Sequence, residues 1–491
     1  MFDTKQPFYV AEGTEQSRSL LEQVRSWSRA ENRAAANRLG AIAELWTLRL
    51  RECGGRADWV ADAHAAVAAE VAAALCVSQG VAASYLNYAR AMRERLPGVA
   101  AVFMAGDLDY RLFQTIVYRT DLICDAAVLA AVDRELAAKA PRWPSLTPGR
   151  LAGYIDKIVA KADTDAVRRR RDRQAGREVW IGFGDNGIAE IHGSLWTADA
   201  HLLDKRLGAL AATVCEHDPR TKEQRRADSL GALAAGAERL CCRCGRADCR
   251  AGGETASAVV IHVVAGQDTV SGLSNTPGSM VDVDALLPPE LINELARSAK
   301  LVPVVHPGDA LPEDGYVPSR ALGNFVRCRD MTCRFPGCDR PAFGCDLDHT
   351  IPFSEGGATH ASNLKCVCRL HHLVKTFWGW RDQQLRDGTV IWTSPSGDTY
   401  VTTPGSAVLF PGLCRPTGGL AEPVAPTEDR RAERSAMMPR RRRTREQHRA
   451  RRVAAERRHN QRAREAPRDR RVDAHFGNVP NAGDDDDPPP F

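Results

Sequence analysis

Between residues 30 and 139 apolar side chains recur every three or four positions, as in Ala35, Leu39, Ile42 and Trp46, against a background rich in Ala, Leu, Arg and Glu. This spacing lays one apolar stripe along an α-helix. Gly54-Gly55, Pro97-Gly98 and Gly106-Asp107 interrupt it, so the stretch predicts a bundle of four to six helices. Residues 70–86 read as a helix, a short turn near Val77–Gly80 and a second helix. A DNA-reading helix-turn-helix and an ordinary αα-hairpin both fit that outline, and the hairpin is preferred. Residues 1–29 carry no clear period and read as a leader.

Past the break at Pro141–Pro148, residues 149–172 again read as helix, ending in Arg168–Arg171. The period then changes. Val179-Trp-Ile-Gly-Phe183 and Ile188-Ala-Glu-Ile-His192 flank Asp185-Asn186-Gly187, and Asn-Gly between alternating apolar runs predicts a tight β-hairpin. Helices are expected near 197–215 and 224–236, and a strand over 256–264. Residues 30–310 thus read as one mainly helical, mixed domain with a small β-hairpin part. From Pro318 the segments are short and rich in Gly, Pro and Cys. Strand-like 389–392 and 399–402, around a turn at Ser394–Gly397, close a second domain over 320–403. After Pro404 periodicity fades, and 416–491 read as a disordered tail with a basic helix over 440–465.

A chain of 491 residues calls for two or three folded units. No apolar run approaches the roughly 18 residues of a membrane span, and residues 1–18 lack the apolar centre of a secretory signal. The expectation is a soluble, cytoplasmic protein without a membrane partner. The 15 cysteines then suggest metal rather than disulfides, because nine of them cluster over 241–249 and 333–368. The net charge of +5 hides an asymmetry. Residues 427–471 hold 18 Arg against 7 acidic residues, and 472–491 hold five Asp and no base. Such a tail attracts nucleic-acid phosphates without reading sequence. Asp484–Asp487 are expected to fold back on it and weaken that attraction.

The chemistry concentrates in 44 residues. Cys333 and Cys338 form one knuckle, Cys368 and His371 the other, a donor set that suits tetrahedral Zn²⁺. Cys366 shares a strand face with Cys368 and is the alternative ligand, the two-residue gap to His371 favouring Cys368. Asp348 and His349 are adjacent, so on a strand one can bind metal while the other faces substrate. His372 follows His371 at the start of a helix, turned about 100° from it, which lets neighbouring histidines serve two metals. Gly356-Gly357 permits a tight loop, and the Asn363 amide can tie it. The hypothesis is that Asp348 and His372 hold one divalent metal on a scissile phosphate. His349 removes a proton from the attacking water, and Asn363 holds it in place. Lys375, one turn after His372, either contacts phosphate or is a solvated helix residue.

These residues resemble the HNH endonuclease family, whose Asp-His pair, central Asn and final His are matched by Asp348, His349, Asn363 and His372. Phe335-Pro-Gly-Cys338, Cys345-Asp-Leu-Asp-His-Thr-Ile-Pro352, Trp378, Trp380 and Trp392-Thr-Ser-Pro-Ser-Gly397 resemble a narrower group, the actinobacterial 13E12 repeat family. That group couples an N-terminal domain of unknown function (DUF222) to an HNH module. Thr221-Lys-Glu-Gln-Arg-Arg-Ala-Asp228 and Cys242-Arg-Cys-Gly245 resemble its N-terminal domain. The resemblance implies an α+β chain: a mainly helical N-terminal domain, then a zinc-stapled ββα-metal (HNH) module, then the Arg-rich tail. It also implies single-metal cleavage of DNA, with Mg²⁺, Mn²⁺, Ni²⁺ or Zn²⁺ at the catalytic site, structural Zn²⁺ beside it, and double-stranded DNA as partner. The rivals are a non-catalytic DNA-binding protein with a structural zinc module and a nuclease acting on RNA or branched DNA. Cys241, Cys244 and Cys249 offer three ligands for a second zinc, with His262 or Cys242 as the fourth. The alternative there is a reduced loop.

Overall fold

Short polar side chains start most helices of the N-terminal region. The computed structural model describes residues 14–53, 56–143, 146–168, 178–183, 188–249, 262–281, 285–297, 299–419 and 438–465. Seven α-helices come first: α1 (Glu15–Cys53), α2 (Ala63–Leu75), α3 (Gln79–Arg90), α4 (Pro97–Met104), α5 (Tyr110–Arg119), α6 (Ala126–Lys139) and α7 (Pro148–Ala162). Asp62, Ser78, Asp109 and Asp125 precede α2, α3, α5 and α6, and each accepts a hydrogen bond from a first-turn N–H. Pro97 and Pro148 open α4 and α7, where no N–H donor is needed.

The chain forms two compact units, residues 1–169 with 434–491, and residues 170–433. The expected single domain over 30–310 is therefore divided, because α1–α7 close a core of their own. Leu39, Val67, Leu86, Phe103, Phe113, Ile116, Leu136 and Ile155 lie in it. The helix pair over 70–86 is α2 and α3, packed in this core with their axes bent by 111° at a short turn, a geometry that fits both outlines. Every residue from Ala63 to Ala73 is buried, and left-handed Cys76 (φ 53°) makes the turn. The expected leader is corrected too. From Glu15 on, its described part is the first stretch of α1, since Glu, Gln, Arg and Leu sustain a helix even where no stripe is buried.

The tail supplies the last element of this first unit. A helix at Arg445–Glu465 lies within the expected basic helix; most of it is exposed, but one face meets the ends of α2, α5 and α7. Arg445 meets Asp62 at 2.7 Å, Arg449 meets Asp121 at 2.6 Å and Arg457 meets Asp163 at 2.6 Å. Val453 joins the core. The Asn460 amide donates to the carbonyls of Asp165 and Val167, both at 2.9 Å. Asp484–Asp487 lie outside the described residues.

The second unit begins with β1 (Glu178–Phe183) and β2 (Ala189–Ser194), an antiparallel hairpin pairing Glu178 with Ser194. Its Asp185-Asn186-Gly187 turn lies outside the described residues. Next come α8 (Thr197–Ala211) and α9 (Lys222–Ala234), with a Thr221–Gln224 capping box opening α9. The sheet β3 (Val263–Val264), β4 (Gly278–Met280) and β5 (Ala285–Leu287) carries two short helices, α10 (Gln267–Val270) and α11 (Pro289–Ala296). Of the expected strand over 256–264, Val263–Val264 is the part seen. The chain then runs through α12 (Arg320–Asp330), β6 (Asp346–His349), β7 (Leu364–Val367) and α13 (Arg369–Phe377). It ends in an antiparallel sheet of β8 (Arg381–Gln384), β9 (Val390–Thr393) and β10 (Thr399–Thr402). The described chain is mainly helical with small sheets. No single helix in it is long and apolar enough to cross a membrane.

Candidate functional site

The site sits on the β6–β7 hairpin and the helix that follows it. Two buried charges at the end of α12 support the hairpin from behind. Arg329 donates to the carbonyls of Ala361 (2.8 Å) and Leu364 (2.7 Å), and Asp330 accepts from the Cys366 N–H at 2.7 Å. The two pair with each other at 2.8 Å. The loop from β6 to β7 is closed by Asn363. Its Oδ1 accepts from the Ile351 N–H (2.8 Å), and its Nδ2 donates to the carbonyls of Ile351 (3.1 Å) and Ala358 (2.9 Å). Gly356 adopts φ 83°, and a Cβ on Gly357 would overlap the Ile351 carbonyl. Both glycines are therefore demanded by the loop.

Asp348 and His349 end β6, both buried. The two oxygens of Asp348 have separate surroundings. Oδ2 takes the ammoniums of Lys365 and Lys375, each at 2.7 Å, while Oδ1 faces His372 Nε2 at 3.4 Å. Two ligand atoms on one cation, with bonds of about 2.1 Å, stand roughly 3–3.5 Å apart, so this pair fits a shared divalent ion. His372 Nδ1 meets Asp346 Oδ2 at 2.8 Å. That carboxylate orients the imidazole, as outer-shell carboxylates orient ligating histidines. Burial opposes the charge of Asp348, but Lys365, Lys375 and His372 outweigh it and hold its pKa well below the ordinary value.

His349 is held differently. Its Nε2 lies 3.0 Å from Thr359 Oγ1, and Thr359 in turn donates to the Tyr316 carbonyl at 3.5 Å. With Nε2 occupied by Thr359, Nδ1 is the ring nitrogen left to meet a water. Tyr316 stacks on the ring at 5.3 Å between centroids, and Phe353 meets it edge-on at 5.9 Å. Burial lowers the imidazole pKa below its usual value.

Lys375 is not the solvated helix residue of the second expectation. Its ammonium, far from reaching solvent, bonds Asp348, Asp382 Oδ1 (3.2 Å) and the His349 carbonyl (2.9 Å). Lys365 and Asp382 were missed by sequence reasoning. Lys365 is fully buried and bonds Asp348 and Asp382, the latter at 2.6 Å. Burial works against its charge, but the two carboxylates outweigh that and raise its pKa. The signal lay in the register: Asp348 is directly opposite Lys365 across the hairpin, which puts both side chains on one face.

The Sγ atoms of Cys333, Cys338 and Cys368 and a ring nitrogen of His371 lie within 4.8 Å of one another, a set able to hold a metal ion. Cys368 caps α13 and His371 is on its first turn. Cys366 stays outside the set, its thiol facing the Val326 carbonyl at 3.9 Å. Phe335 stacks on His371 at 4.1 Å, with Trp380 and Trp392 behind it. Hydrogen bonds from Cys333 and Cys338 hold the Cys368 thiol far below its ordinary pKa, while burial drives Cys333 well above it. The thiols cannot all lose their protons without a cation to balance them. His371 and His372, adjacent in sequence, thus serve different groups.

A second set of thiols converges between α8 and α11. Its members are Cys215, Cys242, Cys244 and Cys249, which corrects the expected set. Cys241 is not among them; its Sγ points to the Cys242 carbonyl at 3.8 Å. His262 stacks on Phe343 at 3.6 Å instead of joining them. The place expected for Cys241 is taken by Cys215, which follows α8.

Comparison with known proteins places the chain. The family model described as "Domain of unknown function (DUF222)" matches residues 26–330, ending with α12. "Uncharacterized protein Rv3776" of Mycobacterium tuberculosis (strain ATCC 25618 / H37Rv) is 44% identical over 470 residues, 90% of each chain. "Uncharacterized protein Rv2100" of the same strain is 44% identical over 482 residues, 89% of this chain and 87% of the relative. No solved structure matches the chain. With a family match over more than half its length and relatives aligned along nearly all of theirs, the chain belongs to the DUF222 family.

Proposed function

We propose that residues 320–403 act as an HNH-type, metal-dependent endonuclease that hydrolyses phosphodiester bonds in DNA, with His349 as general base. The observation that carries this reading is the 3.4 Å approach of His372 Nε2 to Asp348 Oδ1 on a ββα unit, next to buried His349, whose Nε2 is held by Thr359. Asp348 and His372 would hold one divalent cation (Mg²⁺, Mn²⁺, Ni²⁺ or Zn²⁺), which when bound supplies Lewis-acid stabilisation of the leaving oxygen. His349 takes a proton from the attacking water at Nδ1. Thr359 holds its Nε2 and Tyr316 its ring plane, and Asn363 holds the loop that keeps these groups in register. Zn²⁺ on Cys333, Cys338, Cys368 and His371 would be structural. It would fix α13, and so His372, against the hairpin.

One observation favours a second reading, a non-catalytic DNA-binding module. Asp346, Asp348 and Asp382 face Arg369, Lys365 and Lys375, so the formal charges cancel and the site offers a cation little net attraction. The two readings part in one assay. The purified chain is incubated with plasmid DNA, branched DNA and RNA in Mg²⁺, Mn²⁺ or Ni²⁺, beside His349→Ala. Metal-dependent cleavage lost in the variant supports the nuclease. Cleavage that survives would falsify the base assignment, and no cleavage of any nucleic acid with any metal leaves the binding module.

A further inference from the structure

We propose that Cys215, Cys242, Cys244 and Cys249 form a four-thiolate zinc site that ties the end of α8 to the loop before β3. This proposal is independent of the nuclease reading, since its residues belong to no part of the hairpin site.

The thiols come from two separate stretches of chain. Cys215 stands four residues past α8, and the other three lie in one loop after α9. All four Sγ atoms fall within 4.8 Å of one another, and Cys215 lies 3.5 Å from Cys242. In a tetrahedron with Zn–S bonds of about 2.3 Å the sulfurs stand about 3.8 Å apart. The observed convergence is therefore that of ligands around one centre. Four soft thiolates in a tetrahedral array select Zn²⁺ over harder divalent cations.

The surrounding backbone is built to hold this convergence. Asp218, its side chain fully buried, accepts from the Arg243 N–H at 2.9 Å and pairs with Arg220 at 2.8 Å. Arg220 donates onward to the Cys241 carbonyl at 2.6 Å. The Leu240 N–H donates to Thr213 Oγ1 at 2.8 Å. These bonds clamp the segment before Cys242 to the segment around Cys215. Gly245 takes φ 70° directly after Cys244, which lets the knuckle turn so that Cys249 comes back to the same point. Apolar burial is modest here: of α9, Ser229 alone is buried, and Leu210, Ala237 and Leu240 supply the core beside the thiols. A metal staple would add to so small a core.

The test reads metal and thiols on the full-length chain, purified under reducing conditions. Elemental analysis compares the parent with Cys215→Ser, Cys249→Ser and Cys241→Ser. The first two should each bind one zinc fewer per chain, and Cys241→Ser should match the parent. Peptide-resolved alkylation of the unsubstituted chain covers the case in which a variant fails to fold. Cys215, Cys242, Cys244 and Cys249 should resist alkylation together and become reactive together when a strong chelator is added, with exposed Cys76 and Cys124 as fast references. The proposal is overturned if the four thiols react as fast as Cys76 and Cys124 in the zinc-loaded chain. It is equally overturned if Cys215→Ser keeps the parent's zinc content, if a Cys215–Cys242 disulfide is recovered, or if iron fills the site.

Discussion

Replacing Lys365 with Met should destabilise the second unit without replacing any proposed ligand. Lys365 is fully buried, with its ammonium 2.7 Å from Asp348, 2.6 Å from Asp382 and 3.1 Å from Thr350 Oγ1. Met fills the same stem volume, so the loss is electrostatic and not one of packing. Removing one partner of a buried ion pair costs about 3–5 kcal/mol, because the other charge stays buried without compensation. Lys375 still reaches both carboxylates, at 2.7 and 3.2 Å, which places the expected cost near the lower end, about 3 kcal/mol. In a unit of this size that lowers the melting temperature by roughly 6–12 °C. Trp392, whose ring lies 5.8 Å from the Lys365 ammonium, makes tryptophan fluorescence a suitable probe for the melt. Adding Asp382→Asn to Lys365→Met should recover part of the loss, since it removes one of the stranded charges. A Lys365→Met chain melting within about 1 °C of the parent would refute the argument.

Two further outcomes follow from the geometry. Buried His64 bonds Asn87 Oδ1 through Nε2 at 3.2 Å, and burial, followed by nearby Arg445, lowers its pKa to about 4. As pH falls from about 6.5 the unfolded chain takes up the proton first, so the first unit loses stability down to about pH 4. The loss is about 2 kcal/mol at pH 5. His64→Gln should flatten that slope in urea titrations at pH 7 and 5, and an unchanged slope would show that other groups set it. Gly357→Ala forces a Cβ onto the Ile351 carbonyl and close to the Asn363 amide, 3.0 Å away. Since backbone cannot yield as a side chain tip can, the cost should be about 1–3 kcal/mol. It would be read as a lower melting temperature and faster proteolysis between Thr350 and Asn363, and a parent-like melt and digestion pattern would count against the contact.

Much of the first unit was legible because a 3.6-residue period needs no tertiary information. The Leu39 and Ile42 stripe, the end of α1 at Cys53, the start of α4 at Pro97 and the helix pair over 70–86 all follow from local spacing. The fate of the tail did not. A run of arginines reads as solvated or phosphate-binding, and the acidic residues it meets, Asp62, Asp121 and Asp163, are scattered over a hundred positions with no pattern of their own. Their carboxylates are largely buried while the arginines are partly exposed, and Val453 and Asn460, which a charge count passes over, add a packed and hydrogen-bonded contact.

The two thiol clusters show the same boundary between short and long range. Cys333, Cys338, Cys368 and His371 could be picked out as one converging group because each knuckle is local and only the pairing of knuckles is long-range. The second cluster failed at one position for the opposite reason. Cys241 fits a Cys-x2-Cys spacing with Cys244, whereas Cys215 precedes Cys242 by 27 residues and belongs to no spacing at all. The hairpin site adds a further case. Asp348, His349, Asn363 and His372 are recognisable as types in order, but what decides the charge state of Asp348 is Lys365 across the strand pair and Lys375 one turn past His372. Motifs name the groups that meet a ligand. Strand register and helix phase name the charges that oppose or support them, and in this site those unseen charges keep Asp348 ionised despite its burial.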